Sequence, residues 1–194
     1  MRSLYPIDTL ILAGGQSSRM GSDKATYLID NVRFIDMILN VSKTVEGPTY
    51  LVSSLPEHRR IGLPIIEDEV PGQGPLMGLY SGLKKSTTEW TLVLSCDVPF
   101  VEAKVLELLC NAIAEDADAV IVAARGERMP LVGVYHQRAA QHFEGVLEQG
   151  VRGVQRGLEG LRVEVIRLTG ALAESVQNIN TENDLKNVIY GGNH

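Results

Sequence analysis

Positive charge is in short supply in this chain. Eighteen Lys and Arg face 24 Asp and Glu, for a formal net charge of −6. Such a balance gives no general attraction for nucleic acid or an anionic membrane, so any phosphate must be gripped by local geometry. Cysteine is scarcer still. Cys96 and Cys110 stand far apart, which argues against a disulfide framework or a cysteine metal cluster and for two reduced, structural thiols. His58, His136, His142 and His194 show no metal-ligand spacing and are assigned no role. No apolar run approaches the length of a membrane span. The start, Met1-Arg2-Ser3-Leu4-Tyr5-Pro6, lacks the apolar core of a signal peptide. What is present is a 194-residue chain, 44% hydrophobic, with no internal repeat or linker. That suits one domain over residues 1–194, with a sizeable core and a cytoplasmic location.

Strand-like and helix-like segments alternate. Thr9-Leu10-Ile11-Leu12, Thr49 to Ser53, Leu63 to Ile66, Trp90 to Ser95, Ala119 to Ala123 and Leu131 to Tyr135 read as strands. Arg162 to Ile166 alternates polar and apolar residues, as a half-exposed edge strand does. Helical spacing marks Phe34 to Val45, Pro75 to Leu83, Val105 to Asp116, Ala139 to Leu147 and a last helix from Thr181 to Ile189. The order predicts an α/β, Rossmann-like three-layer sandwich: a mostly parallel sheet with helices on both faces. Residues 124–130 are the most polar internal stretch and read as a functional loop excursion. Ligands of such sheets sit beyond the carboxyl ends of the strands. That rule selects the segment after Leu12, Glu67-Asp68, Cys96-Asp97 and the loop after Ala123.

The first of these segments is the most informative. After Leu12 come Ala13, Gly14 and Gly15, then Arg19, Gly21 and Lys24. Glycines let a backbone turn tightly and approach a ligand, and successive N–H groups in such a turn attract anions. Arg19 and Lys24 add two cations, so the whole suits a polyphosphate. It is not a P-loop, because five residues separate Gly15 from Gly21 where a P-loop has four, and Ser22-Asp23 precede Lys24; Gly-x-Gly-x-x-Gly is absent too. Asp97 follows the most apolar strand candidate and is the strongest single carboxylate. Asp68 follows Ile65-Ile66 between Glu67 and Glu69.

The string Leu12-Ala13-Gly14-Gly15-Gln16-Ser17-Ser18-Arg19-Met20-Gly21-Ser22-Asp23-Lys24 resembles the opening motif of the nucleotidyltransferases. Gly15 after Gly14, with Asp23 before Lys24, is most similar to the molybdenum cofactor guanylyltransferases. Gly74-Pro75-Leu76-Met77-Gly78, Cys96-Asp97-Val98-Pro99 and Asn178-Ile179-Asn180-Thr181 match further elements of that family, so the resemblance covers nearly the whole chain. The chain departs at Glu182-Asn183, where Pro and Glu are usual, and at Ser53-Ser54-Leu55, where an Asn often stands.

The resemblance implies transfer of GMP from GTP to molybdenum-molybdopterin, with release of pyrophosphate. It implies Mg²⁺ as cofactor, held by Asp97, with Arg19 and Lys24 neutralising phosphate charge. Leu12, Ala13, Gly14, Gly15, Lys24, Asp68 and Asp97 would form the nucleotide site, Asp68 reading either the base or the ribose. Asn180 would face the active site. Arg125, Arg128, Arg152 and Arg156 are candidates for the pterin side. Molybdenum-insertion proteins and recipient molybdoenzymes are the implied protein partners, with no nucleic acid or membrane. A cytidylyltransferase for the same cofactor, a sugar-phosphate nucleotidyltransferase and a non-catalytic GTP-binding maturation adaptor are the alternatives.

Overall fold

The computed structural model describes residues 7–14 and 23–190. Its first strand, β1 (Ile7–Leu12), is buried along its whole length. Two short strands, β2 (Leu28–Ile29) and β3 (Val32–Arg33), form a hairpin turned by Asp30-Asn31 and lead into α1 (Phe34–Ser42). The chain continues through β4 (Thr49–Val52), a 3-10 turn over Pro56–Ile61, β5 (Ile65–Ile66) and α2 (Pro75–Lys85). Next come β6 (Trp90–Ser95), α3 (Ala103–Asn111), β7 (Ala119–Ala124), β8 (Glu127–His136) and α4 (Ala139–Glu148). The described residues end with α5 (Val154–Gly157), β9 (Val163–Leu168), α6 (Gly170–Ser175) and α7 (Glu182–Tyr190).

Among the described residues seven strands make one sheet in the order β5-β4-β1-β6-β8-β7-β9. In that sheet, as described, only the pairings of β8, with β6 and with β7, are antiparallel. Side chains alternate between the two faces, as strand geometry requires. Ile7 and Ile11 of β1, and Leu92 and Leu94 of β6, join the core under α1 and α3. Leu10, Leu12 and Val93 join a second core with Leu76 and Leu79 of α2 and Phe143 of α4. The helices therefore cover both faces, as the alternation of segments predicted. β9 lies at the sheet edge with a mixed pattern of exposure, also as predicted.

Three local expectations are corrected. The strand expected over Leu63–Ile66 is ordered as a strand only at Ile65–Ile66. The helix expected to reach Asp116 ends at Asn111, before Ala117 N–H closes a turn onto the Ala114 carbonyl. Residues 124–130 are no loop excursion. They close a tight hairpin between β7 and β8, with Arg125 and Gly126 both at positive φ, the two-residue turn that matches strand twist. The register shifts between Ile121 and Val122, so that Ile121 pairs with Gly133 and Val122 with Met129. Pro130, Leu131 and Val132 are the extra residues on the β8 side of that bulge. A bulge needs no ladder donor there, which is how an internal strand accommodates Pro130.

The amino edge of the sheet is fastened by a buried acid. Asp8 is fully inaccessible, and its Oδ2 accepts from Ser86 Oγ (2.9 Å), Thr87 N–H (2.6 Å) and Thr87 Oγ1 (3.1 Å). These bonds tie the start of β1 to the segment joining α2 and β6. Asp8→Ala leaves buried donors unpaired and should cost about 2–3 kcal/mol. Thermal unfolding should show the midpoint lowered by roughly 5–10 °C. Turnover per folded molecule should be unchanged, because these groups lie at the opposite edge from the site described next.

Candidate active site

Parallel pairing of β1 with both β4 and β6 delivers three chain reversals to one edge. Leu12 is level with Val52 on one side and Ser95 on the other. The ladder runs one step past the strands: Ala13 N–H donates to Val52 O (3.0 Å), and Cys96 N–H to Leu12 O (2.9 Å). Leu12, Ala13, Gly14 and Asp97 thus become neighbours. Ile179 N–H donates to Asp97 O (2.7 Å), which brings the Asn178–Thr181 segment to the same place.

Two charged side chains meet here. Lys24 Nζ lies 3.9 Å from Asp97 Oδ2, and both side chains are less than one-fifth exposed. Lys24 also donates to Asn180 Oδ1. Asn180 is held in turn, because Asp184 Oδ2 accepts from the Asn180 and Thr181 N–H groups while Thr181 Oγ1 accepts from Asp184 N–H. This reciprocal cap opens α7 as the sequence predicted, and the departures at Glu182 and Asn183 leave it intact.

Asp97 Oδ1 is buried and has no hydrogen-bond partner among the described residues. It does not cap α3, whose first residue is Ala103 and whose N-cap Glu102 makes no side-chain capping bond. A buried carboxylate oxygen without a donor is costly unless something positive meets it. The donor set fits Mg²⁺: one carboxylate, with phosphate oxygens and waters completing the shell. Among the described residues no group of three or more His, Cys, Asp or Glu could hold a metal. Burial pushes the neighbouring Cys96 thiol up to about 12, with Asp97 and Asp23 adding to the shift, so it is no thiolate nucleophile at neutral pH.

Beside this pair opens a cavity of about 600 Å³, walled by Leu12, Gly14, Ser54, Leu55, Asp68 and Gly78. Gly78 stands in mid-helix on α2, where a Cβ would come within 3.3 Å of Asp68 Oδ1. Glycine there lets Asp68 turn inward against the helix. Gly74 is required for a different reason: it caps α2 at φ 81°, and a Cβ would meet the Arg152 carbonyl at 3.2 Å. Burial raises the Asp68 carboxyl above its ordinary range.

A smaller cleft of about 240 Å³ adjoins Asp97 on the other side, lined by Arg128, Met129, Leu131, Gln155 and Asn178. β8 runs antiparallel, so its beginning reaches the edge where the parallel strands end. Arg128 therefore borders the site. Arg125 is exposed at the hairpin tip and donates to Gln177 Oε1 (2.8 Å), outside the cleft lining. Arg152 lines neither cavity. Its guanidinium donates to the Leu147 and Val151 carbonyls, and its own carbonyl accepts from Leu76 N–H, so it joins the end of α4 to the start of α2. Arg156 lies in α5 and lines neither cavity. Gly15 and Arg19 lie outside the described residues.

One residue that sequence reasoning dismissed is central to the layout. His58 is fully buried, between Ser53 Oγ (2.7 Å to Nδ1) and Asp23 Oδ2 (2.8 Å to Nε2). Ser53, standing where the resembled family often has Asn, is thereby turned away from the cavity wall formed by Ser54 and Leu55.

Asp68 sets a test of the site's electrostatics. The folded protein holds its proton more tightly than the unfolded chain does. Its contribution to stability is favourable below about pH 4 and is lost as pH rises through the raised folded value. At neutral pH the ionised carboxylate opposes folding. Asp68→Asn should therefore raise the unfolding midpoint at pH 7, and calorimetry should show that gain shrink as the pH falls to about 4. A gain that grows on acidification would contradict the assignment.

Comparison with known proteins shows the family. Residues 9–164 match the family model described as MobA-like NTP transferase domain. A Nostoc protein called "probable molybdenum cofactor guanylyltransferase" is 33% identical, the match covering 95% of this chain and 91% of the relative. A Geobacillus protein of the same name is 31% identical, covering 93% and 96%. Molybdopterin-guanine dinucleotide biosynthesis protein A from Archaeoglobus fulgidus superposes with a TM-score of 0.78 at 25% identity, covering 94% of this chain and 96% of that one. A family model matched over most of the chain, and relatives matched along nearly its full length, make this chain an enzyme of the nucleotidyltransferase class that belongs to the MobA-like NTP transferase domain family.

Proposed function

We propose that this enzyme transfers GMP from GTP to the phosphate of molybdenum-molybdopterin and releases pyrophosphate, with Mg²⁺ as cofactor. The observation that carries the reading is the Lys24–Asp97 pair, with a buried carboxylate oxygen that has no partner among the described residues, set between two cavities. The larger cavity is assigned to the nucleoside and the cleft by Arg128 to the pterin. The names of the relatives support the guanylyl donor and the molybdopterin acceptor.

In this reading the reaction needs little protein chemistry. An oxygen of the pterin phosphate attacks the α-phosphorus of GTP. One P–O bond forms as the bond to the β-phosphate oxygen breaks, and both electrons leave with pyrophosphate. A phosphate monoester is already anionic at neutral pH, so no general base is required. Mg²⁺, when bound at Asp97, supplies charge neutralisation on the phosphates. Lys24 adds a fixed cation, steadied by Asn180, at no reorganisation cost during transfer. Arg19 is assigned the same task from its place in the motif. Leu12 and Gly14 line the nucleoside cavity and Ala13 the crevice beside it; Gly15 is assigned to the nucleotide from its place in the motif, and Asp68 to the base or ribose. Arg128, in the cleft lining, and Arg125, at the hairpin tip, are retained as candidates for the pterin side. The chain acts as one domain in the cytoplasm. Molybdenum-insertion proteins and recipient molybdoenzymes are its proposed partners. No helix among the described residues is long and apolar enough to cross a membrane.

Asp97→Asn should lower turnover at least about 100-fold, roughly 3 kcal/mol of barrier, at saturating Mg²⁺. Pyrophosphate release measures it. Activity within threefold of the unaltered enzyme would remove Asp97 as metal ligand.

The base should be read by buried polar groups, so a lost hydrogen bond should be costly. Comparing GTP, ITP, ATP and CTP as donors should show GTP fastest, ITP intermediate, and ATP and CTP slower by about 100-fold or more. CTP turnover equal to that of GTP would move the enzyme to the cytidylyl class. GTP binding with no pyrophosphate release would make it an adaptor.

A further inference from the structure

Asp23 precedes Lys24 and shapes the turn that carries it. Its Oδ1 accepts from Ala25 N–H (3.3 Å), and its Oδ2 from Thr26 N–H (3.2 Å) and Thr26 Oγ1 (3.0 Å). Lys24 O then accepts from Tyr27 N–H (3.2 Å). Four residues are wound around one carboxylate, and the aim of Lys24 depends on where that carboxylate is held.

His58 holds it. The ring comes from a distant part of the chain, the 3-10 turn after β4, and has no solvent exposure. The carboxylate end sets the direction of each bond. A carboxylate accepts and does not donate, so Asp23 draws the ring N–H to Nε2 and leaves Nδ1 to accept from the Ser53 hydroxyl, whose oxygen also accepts from Leu55 N–H (3.1 Å). The ring's N–H is then on Nε2 and donates to Asp23 Oδ2. Every polar atom in the chain of bonds is satisfied, and all protons point the same way.

We propose that Ser53, His58 and Asp23 form a positioning relay that fixes Lys24 over Asp97 and ties its aim to the wall of the nucleoside cavity. Ser54 and Leu55, which line that cavity, are the residues next to Ser53. One hydrogen-bonded chain therefore spans the nucleoside wall and the phosphate cation. The relay rests on the reading of Lys24 as a phosphate contact. His58 touches neither substrate nor metal in this account and acts only through Asp23 and Lys24. The same packing would also arise if His58 merely filled the core, so the test must separate position from stability.

His58→Leu removes both bonds, and His58→Gln keeps a donor toward Asp23. Pyrophosphate release and GTP calorimetry are measured on each, alone and combined with Lys24→Ala. The relay predicts that His58→Leu lowers kcat 10- to 50-fold with the GTP dissociation constant changed less than threefold, while His58→Gln stays within threefold of the unaltered enzyme. It also predicts less than a twofold further loss from His58→Leu once Lys24 is alanine, because coupled residues are not additive. Equal losses in both backgrounds, or weakened GTP binding with unchanged kcat, would overturn it. If His58→Leu fails to fold, Ser53→Ala carries the same kcat-against-affinity comparison and the same test of non-additivity, with His58→Gln as the conservative control. Normal turnover in Lys24→Ala would sink the phosphate reading itself. Normal turnover in His58→Leu beside an impaired Lys24→Ala would sink the relay alone.

Discussion

Everything in the site depends on the parallel pairing of β1 with β6. Strands running the same way end at the same edge, so the turn after Leu12 and the turn after Ser95 must share space. The bond from Cys96 N–H to Leu12 O extends that register beyond the strands themselves. Asp97 and Gly14 then stand on either side of one crevice, and Lys24 folds over it. Burial of β1 and β6 on both faces makes the register hard to slip, because a one-residue shift would exchange the two cores.

The polar groups of the molecule divide by how well they are satisfied. Asp8 and His58, both wholly buried, are fully partnered within the protein. At the candidate site the opposite holds. Among the described residues Asp97 Oδ1 is buried without a donor, and Asp68 is half-buried with its carboxyl raised by desolvation. Such unmatched groups cost stability, and a fold keeps them where a ligand completes them. The contrast between a satisfied frame and an unsatisfied edge locates the site on grounds independent of any motif.

Much of this was legible in the sequence. Apolar runs bounded by glycine or acidic residues fixed β1, β4 and β6, and the carboxyl-edge rule then pointed to Asp68 and Asp97 before their neighbours were known. The capping of α7 was readable from Thr181 and Asp184 alone. Two features were not. His58 sits in Pro56-Glu57-His58-Arg59-Arg60, a polar stretch with no periodicity, and its partners are five and thirty-five residues away. Only tertiary folding tells a buried histidine from a solvated one there. The β7–β8 hairpin was hidden by Pro130, which reads as a break in any strand pattern. The bulge that admits it is a property of the pairing with β7, not of β8 by itself. Arg125-Gly126 was the local signal for that turn, a polar residue followed by glycine between two apolar runs.

The central claim is that the α-phosphoryl group of GTP passes to a molybdopterin phosphate at the Lys24–Asp97 edge. Isotopic labelling follows that atom. The enzyme is incubated with Mg²⁺, molybdenum-molybdopterin and GTP labelled at either the α- or the γ-phosphate. The account predicts that α-label enters a pterin dinucleotide and that γ-label appears in pyrophosphate, in equal amounts. Recovery of the α-label only in free GMP or GDP, with none in a pterin product, would contradict it.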